Sequence, residues 1–95
     1  MAAEHLEEDR FYLDEESFAD VKIWKVPQPV RGSPHSYKYR LAFIVKEQCV
    51  LRYDNEAGKG DHKHIGNDEI PIHFKDLETL RNDFLTDVRE WRLKR

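Results

Sequence analysis

The residues best suited to chemistry are concentrated in segment 53–64, which reads Tyr-Asp-Asn-Glu-Ala-Gly-Lys-Gly-Asp-His-Lys-His. Histidine is the side chain whose ordinary pKa lies nearest to neutrality, so two histidines beside lysines and carboxylates are suited to proton transfer, metal binding or phosphate binding. The two glycines allow positive φ angles and close approach of the backbone to a ligand. A plain turn, in which Asp54 or Asn55 binds backbone amides, is the alternative. The density of titratable groups favours a functional site.

The spacing of the two histidines gives two different geometries. If the segment is extended, His62 and His64 project to one side of the strand and Lys63 to the other. If it is looped, Asp61, His62 and His64 can converge on a metal ion with Asp54 as a fourth ligand. The second well-spaced ligand cluster that is typical of zinc signatures is missing, so we expect no metal and no other cofactor.

Cleavage of RNA without a metal needs the same residue types. A base takes the proton of the ribose 2′-OH, an acid protonates the departing 5′-oxygen, and cations stabilise the charge on phosphorus. The predicted catalytic residues are His62, His64, Lys59 and Asp54. The predicted substrate-binding residues are Arg40, Arg52, Asn55, Gly58, Gly60 and Lys63. Tyr37, Tyr53 and Trp24 can stack on bases, although packing in the core is the commoner use of large aromatic side chains.

Length and composition predict one domain, spanning residues 1–95, in a globular protein. No apolar run approaches the roughly 18 residues that cross a bilayer, and the N-terminal residues have no apolar signal-peptide core. We therefore expect a cytoplasmic protein with no membrane partner. The single cysteine, Cys49, lies in an apolar run, which predicts a buried thiol.

The charges are segregated along the chain. Residues 1–20 carry eight Asp and Glu against one Arg, whereas residues 21–64 carry nine Lys and Arg against four acids. A basic central block is typical of an anion-binding face, although the solvent side of a half-exposed sheet gives the same pattern. We expect residues 1–9 to form an acidic arm that need not be ordered, and the acidic segment 1–20 can fold over the basic face.

Hydrophobic periodicity predicts the secondary structure. Strands 10–13 and 18–26 should pair across an acidic turn, and a Pro-rich loop follows at 27–36. Strands 37–46 and 49–54 should form a second hairpin across the dipeptide 47–48, in a looser turn than the primed types because neither residue readily takes positive φ. A short last strand at 70–74 precedes a helix at 76–92 with Asp76 as its N-cap.

Alternation along the strands divides their side chains between two faces. Tyr39, Leu41, Phe43 and Leu51 should share the core face, and the apolar stripe of the helix should cover it. Arg40, Arg52 and Asp54 should lie on the other face. The predicted fold is α+β, with an antiparallel sheet of about five strands and one C-terminal helix packed on one face.

Three motifs carry a resemblance to a known family. They are Tyr37-Lys38-Tyr39-Arg40-Leu41, the run Arg52-Tyr53-Asp54-Asn55-Glu56, and Gly58-Lys59-Gly60-Asp61-His62-Lys63-His64. With a closing helix that carries Phe84, Val88 and Trp91, the chain resembles the TumE-like toxins of bacterial type II toxin–antitoxin systems over roughly residues 6–92. The resemblance implies a toxin that is held inactive by a cognate antitoxin, usually a DNA-binding helix-turn-helix protein.

Our leading hypothesis from the sequence is therefore a toxin that acts on RNA with ribonuclease-like chemistry at the His-Lys-His segment. The alternative is a non-catalytic module that binds protein or nucleic acid through the exposed basic face of the sheet. The ribonuclease hypothesis predicts that toxicity requires the histidines. The binding hypothesis predicts that toxicity requires the arginines of the basic face.

Overall fold

The structure, a computed structural model, describes residues 3–94 and has one antiparallel sheet and one helix. The elements are β1 (Glu4–Asp14), β2 (Ser17–Lys25), β3 (Tyr37–Val45), β4 (Gln48–Asp54), β5 (His62–Ile65), β6 (Asp68–Pro71) and α1 (Leu77–Leu93). The strands are hydrogen-bonded in chain order, so the sheet is a meander. The predicted α+β class is confirmed, with six strands instead of about five.

The acidic N-terminal segment forms the edge of this sheet. Residues 1 and 2 of the predicted arm lie outside the described residues, but from Glu4 onward the chain pairs with β2. The acidic residues therefore lie in the plane of the sheet and do not fold over its face. The first strand is longer than predicted because most of its side chains are exposed, so no apolar alternation marks its beginning.

The turn between β3 and β4 lies one residue earlier than predicted, at Lys46 and Glu47. Both residues have positive φ angles, 49° and 68°. The prediction of a looser turn was wrong, because a two-residue connection with both residues in the left-handed region matches the twist of the flanking strands. The hairpin that this turn closes is the predicted one.

A β-bulge on β4 corrects the prediction for Cys49. Phe43 pairs with Leu51 but the next residue, Ile44, pairs with Cys49, so Val50 is the extra residue. Alternation predicted that the cysteine would share the core face with Leu51. The bulge reverses that side assignment, and the thiol is exposed.

The last hairpin also differs from the predicted strand at 70–74. The strands are β5 and β6, joined at Gly66 and Asn67, and Gly66 has a φ angle of 59°. Residues 72–74 lie beyond the end of β6. A Gly-Asn pair between two extended runs is typical of a β-hairpin. This pair could therefore have identified both strands from the sequence.

Helix α1 agrees with its prediction. The Asp76 carboxylate accepts a hydrogen bond from the Thr79 amide at 2.7 Å, which makes it the N-cap. The amide lowers the pKa of Asp76 because it stabilises the charged form. The predicted loop at 27–36 contains neither strand nor helix.

The core lies between α1 and one face of the sheet. Its buried residues are Ala19, Val21, Ile23, Tyr39, Leu41, Phe43, Leu51, Tyr53, Leu80, Phe84 and Val88. Edge-to-face ring contacts join helix and sheet, with centroids 5.6 Å apart for Phe84 and Tyr53 and 5.5 Å apart for Trp91 and Phe43. We call the opposite face of the sheet the open face. Among residues 3–94, no helix is long and apolar enough to cross a membrane.

Candidate functional site

The open face brings five of the predicted site residues together. In the register of the central strands, Asp54 lies between Arg40 and His62, and Arg52 lies opposite His64. Residues two apart on a strand share a face, so this set occupies one surface. The imidazole rings of His62 and His64 are 4.8 Å apart, at an angle of 78°. The extended geometry of the His-Lys-His segment is therefore the one that the structure adopts.

The Asp54 carboxylate lies at the centre of this cluster. One oxygen, Oδ2, is 2.9 Å from Nε of Arg52, and the other, Oδ1, is 2.7 Å from Nε2 of His62. Asp54 and His62 are only 5% and 2% exposed, so water does not compete freely for these contacts. Glu69 on β6 approaches the same Nε2 atom to 3.8 Å.

Several of these atoms lack a hydrogen bond although they are buried. Among the described residues, five buried side-chain atoms have no hydrogen-bond partner, and three of them are Oδ1 of Asp54, Nε2 of His62 and Nε2 of His64. Oδ1 of Asp54 and Nε2 of His62 are 2.7 Å apart, and the contact is an ion pair only if the ring is protonated. Buried polar atoms are nearly always satisfied, so three neighbouring exceptions mark a place where a water, an ion or a ligand can bind. The three side chains could hold a metal ion, because their ligand atoms lie within 4.8 Å of one another.

Two cations lie next to this cluster without a partner. Lys22 and Arg40 are directly opposite on β2 and β3. In the described part of the chain, neither side chain makes a hydrogen bond or an ion pair. The acids opposite them, Glu8 and Asp54, contact other side chains. Like charges facing each other across a sheet are unfavourable, so this pair is suited to an external anion.

The predicted glycines hold two loops together. Gly58 and Gly60 have φ angles of 87° and 75°. A Cβ atom on Gly60 would lie 2.9 Å from the carbonyl oxygen of Gly32, and the Gly58 amide donates to the carbonyl of Arg31 at 2.7 Å. These glycines are therefore needed where the 27–36 loop meets segment 53–64. The Gly58 amide is already occupied and does not point freely at a ligand.

Asn55, predicted to contact substrate, is fully buried and belongs to the framework of the fold. Its Oδ1 accepts from the Tyr39 amide at 3.0 Å, and its Nδ2 donates to the Tyr37 carbonyl at 2.7 Å and to Ser33 Oγ at 3.3 Å. An amide with all these bonds in place is not available to a substrate. Its side chain fixes the start of β3 relative to the end of β4.

Asp61 lies in a buried network of its own, apart from the cluster around Asp54. Its carboxylate accepts hydrogen bonds from Ser33 Oγ at 2.7 Å and Tyr39 Oη at 2.6 Å, and His35 Nε2 is 2.7 Å away. Burial, together with the bond to Asp61, raises the pKa of Tyr39 and keeps the phenol protonated. No role was predicted for His35, because its partner is 26 residues away and no local pattern marks such a contact.

The remaining predicted residues lie outside the cluster. Lys63 is on the helix-covered face, where its Nζ is 3.0 Å from Asp87 on α1. Tyr53 also donates to Asp87, and burial together with this bond raises the pKa of the phenol. Lys59 is exposed at the rim of the open face, 3.8 Å from Glu69. Lys59 therefore lies near the cluster, whereas Lys63 joins the sheet to the helix.

The arrangement combines an anion-binding pair with a buried cluster of two imidazoles and a carboxylate. Such a surface can hold a phosphate ester beside groups that exchange protons or ligate a cation. Trp24, half-buried on the open face two residues after Lys22, offers an aromatic surface nearby.

Almost the whole chain matches one known protein family. Residues 2–92 match the protein family described as Toxin TumE. No curated protein matches the chain, and no solved structure matches it either. The family match covers nearly the whole sequence, including every strand and almost all of the helix. The chain therefore belongs to the TumE toxin family.

Proposed function

We propose that this protein is the toxin of a toxin–antitoxin pair and that it acts on RNA in the cytoplasm through the open face of the sheet. The observation that carries the proposal is the unpaired cation pair, Lys22 and Arg40, next to Asp54, His62 and His64. Cations without acidic partners attract the phosphate backbone of a nucleic acid. The buried cluster beside them supplies reactive groups where that phosphate would lie.

The proposed reaction is cleavage of the RNA backbone by its own 2′-hydroxyl. The 2′-oxygen attacks phosphorus and loses its proton to a base, while the bond from phosphorus to the 5′-oxygen breaks and that oxygen gains a proton. The products are a 2′,3′-cyclic phosphate and a 5′-hydroxyl. His64 is the residue on which we expect this chemistry to depend, because it is only partly buried and its Nε2 atom has no hydrogen bond.

Recognition of single-stranded RNA fits the same surface. Bases that are not paired can stack on aromatic side chains while cations hold the backbone. Trp24 and Lys38 are opposite each other on β2 and β3, two pairs away from Lys22 and Arg40. A strand of RNA that contacts both pairs would run along β2 and β3, beside Asp54 on the neighbouring strand.

The proposed partner is a cognate antitoxin, a DNA-binding helix-turn-helix protein, as the family resemblance implies. An antitoxin that covers Arg40 and His64 would block substrate directly. Co-expression should therefore relieve growth inhibition, and the purified pair should leave RNA intact.

The test is incubation of purified protein with single-stranded RNA. Wild-type protein should cleave it and leave cyclic phosphate ends, and His64→Ala should abolish cleavage. His73→Ala is the matched control, because this histidine is exposed and lies outside the cluster. Intact RNA after incubation with antitoxin-free wild-type protein would contradict the proposal.

The non-catalytic alternative makes a different prediction for the same variants. If the open face only binds its target, His64→Ala should still inhibit growth, whereas Arg40→Ala should not. Under the proposed function, both variants lose toxicity, but only Arg40→Ala loses affinity for RNA. Measuring growth and RNA binding together therefore separates the two functions.

A further inference from the structure

We propose that Asp54, His62 and His64 bind one divalent transition-metal ion, with Glu69 as a fourth ligand and Zn²⁺ as the best-fitting ion. The site is the one used by the proposed function, but the inference does not require that RNA is the target. It departs from the expectation from the sequence, which was that no metal binds.

The tautomer of His62 gives the first argument. Its Nδ1 atom is 2.9 Å from the carbonyl oxygen of Gly60, and a carbonyl can only accept, so Nδ1 carries a proton. Its Nε2 atom is 2.7 Å from Oδ1 of Asp54, and a contact this short requires a positive charge, which is either a second proton on the ring or a bound cation. A metal-ligating histidine characteristically donates its other ring N–H to a backbone carbonyl, as His62 does.

The convergence of unsatisfied atoms gives the second argument. Oδ1 of Asp54, Nε2 of His62 and Nε2 of His64 are buried, lack hydrogen bonds and lie within 4.8 Å of one another. Ligands bonded to one ion at about 2.1 Å are separated by roughly 3 to 4 Å, so small side-chain rotations bring all three into range. The three buried atoms that lack a hydrogen bond are therefore the same three atoms that could ligate a metal ion.

The surroundings supply the outer parts of a metal site. Oδ2 of Asp54 is 2.9 Å from Nε of Arg52, an ion pair that attracts this oxygen, while Oδ1 lies beside His62. Glu69 lies 3.8 Å from Nε2 of His62 on the edge strand, where its half-exposed side chain can move inward as the fourth ligand. Lys59, 3.8 Å from Glu69, lies further out. Entry of the ion is therefore expected from the β6 edge.

The donor set selects the kind of ion. Two imidazole nitrogens with one or two carboxylate oxygens suit Zn²⁺ and the neighbouring transition metals. Mg²⁺ and Ca²⁺ prefer oxygen ligands throughout. Zinc should therefore bind where magnesium does not.

The experiment is calorimetric titration of chelator-treated, dialysed protein with Zn²⁺, with Mg²⁺ as the negative control. We expect one Zn²⁺ per chain, and binding at least about 10-fold weaker for His64→Ala and Glu69→Gln. His73→Ala should bind as the wild type does. Co²⁺ should give visible absorption bands that His64→Ala loses. His64 is preferred to the buried His62 because its removal disturbs packing less, and circular dichroism checks that each variant is folded.

Two results would overturn the inference: wild-type protein that takes up no Zn²⁺, or His64→Ala that binds it as tightly as the wild type. Binding is measured without RNA, so its failure leaves the proposed ribonuclease activity standing. Conversely, a protein that binds Zn²⁺ tightly but leaves RNA intact contradicts the proposed function and supports the metal site.

Discussion

Lys22 and Arg40 face each other across β2 and β3, and among residues 3–94 neither side chain forms an ion pair. Because the repulsion from Lys22 and the attraction to Asp54, which lies opposite Arg40 on β4, oppose each other, Arg40→Ala should change the melting temperature little. The same variant should weaken RNA binding and reduce the dependence of the binding constant on salt by about one counterion. Thermal unfolding and filter binding at several salt concentrations measure the two effects.

Arg89→Ala is the control for Arg40→Ala. Arg89 is an exposed cation on α1, away from the open face, and its removal changes the net charge equally. If it weakened RNA binding as much as Arg40→Ala, the effect would be one of total charge and not of a site.

Asn55→Ala should be strongly destabilising. The substitution leaves the Tyr39 amide and the Tyr37 carbonyl without their partners, and buried groups left unpaired in this way should cost about 3 kcal/mol. Asn82→Ala, at an exposed position on α1, should change the free energy of unfolding by less than about 0.5 kcal/mol. Urea unfolding of both variants tests this, and equal stabilities would show that the Asn55 bonds contribute little.

Gly60→Ala and Gly66→Ala form a matched pair. Both glycines have positive φ, which costs an alanine roughly 1 kcal/mol. A Cβ atom on Gly66 meets nothing within 4 Å, whereas one on Gly60 would lie 2.9 Å from a backbone oxygen. Gly60→Ala should therefore lose clearly more stability, and it should also loosen the carbonyl that positions His62. Equal losses in thermal unfolding would mean that the contact between the loops relaxes easily.

The N-cap of α1 predicts a pH dependence. The pKa of Asp76 in the folded protein lies below its ordinary value of 3.8, so the charged carboxylate stabilises the fold above that pH. This contribution is lost as the pH falls through the lower, folded pKa. Asp76→Ala should reduce the melting temperature at neutral pH, and its difference from the wild type should shrink in acid. Asp76→Asn keeps an acceptor and should stay close to the wild type at neutral pH.

The parts of the fold that can be predicted from the sequence are those in which apolar residues recur at a regular spacing. Helix α1 and strand β3 have long runs of regularly spaced apolar residues, so their faces follow directly. The same alternation correctly placed Arg40, Arg52 and Asp54 on one face. Cys49 was misplaced because a single extra residue in β4 reverses the alternation, and nothing in the local sequence reveals a bulge.

The parts of the site that were missed depend on contacts distant in sequence. The network around Asp61 joins residues from the 27–36 loop, whose Pro and Gly content shows that it is a loop but not what it touches. The segment 53–64 appeared to be one functional unit. In the structure it is divided: Asp54, His62 and His64 form the cluster, whereas Asn55, Gly60 and Asp61 hold the neighbouring loop in place.

The edge strand β1 has a consequence for the behaviour of the protein at high concentration. An edge of this length exposes a row of unpaired backbone groups that would otherwise recruit a second chain. The strand carries Glu4, Glu7, Glu8, Asp9 and Asp14. Glu7 and Asp14 pair with Arg81 and Arg92 on α1, and the remaining acids give the edge a negative charge. Two copies brought edge to edge would place these acids close together, and salt would weaken their repulsion. The acidity that suggested a cover for the basic face thus disfavours pairing between two copies of this edge.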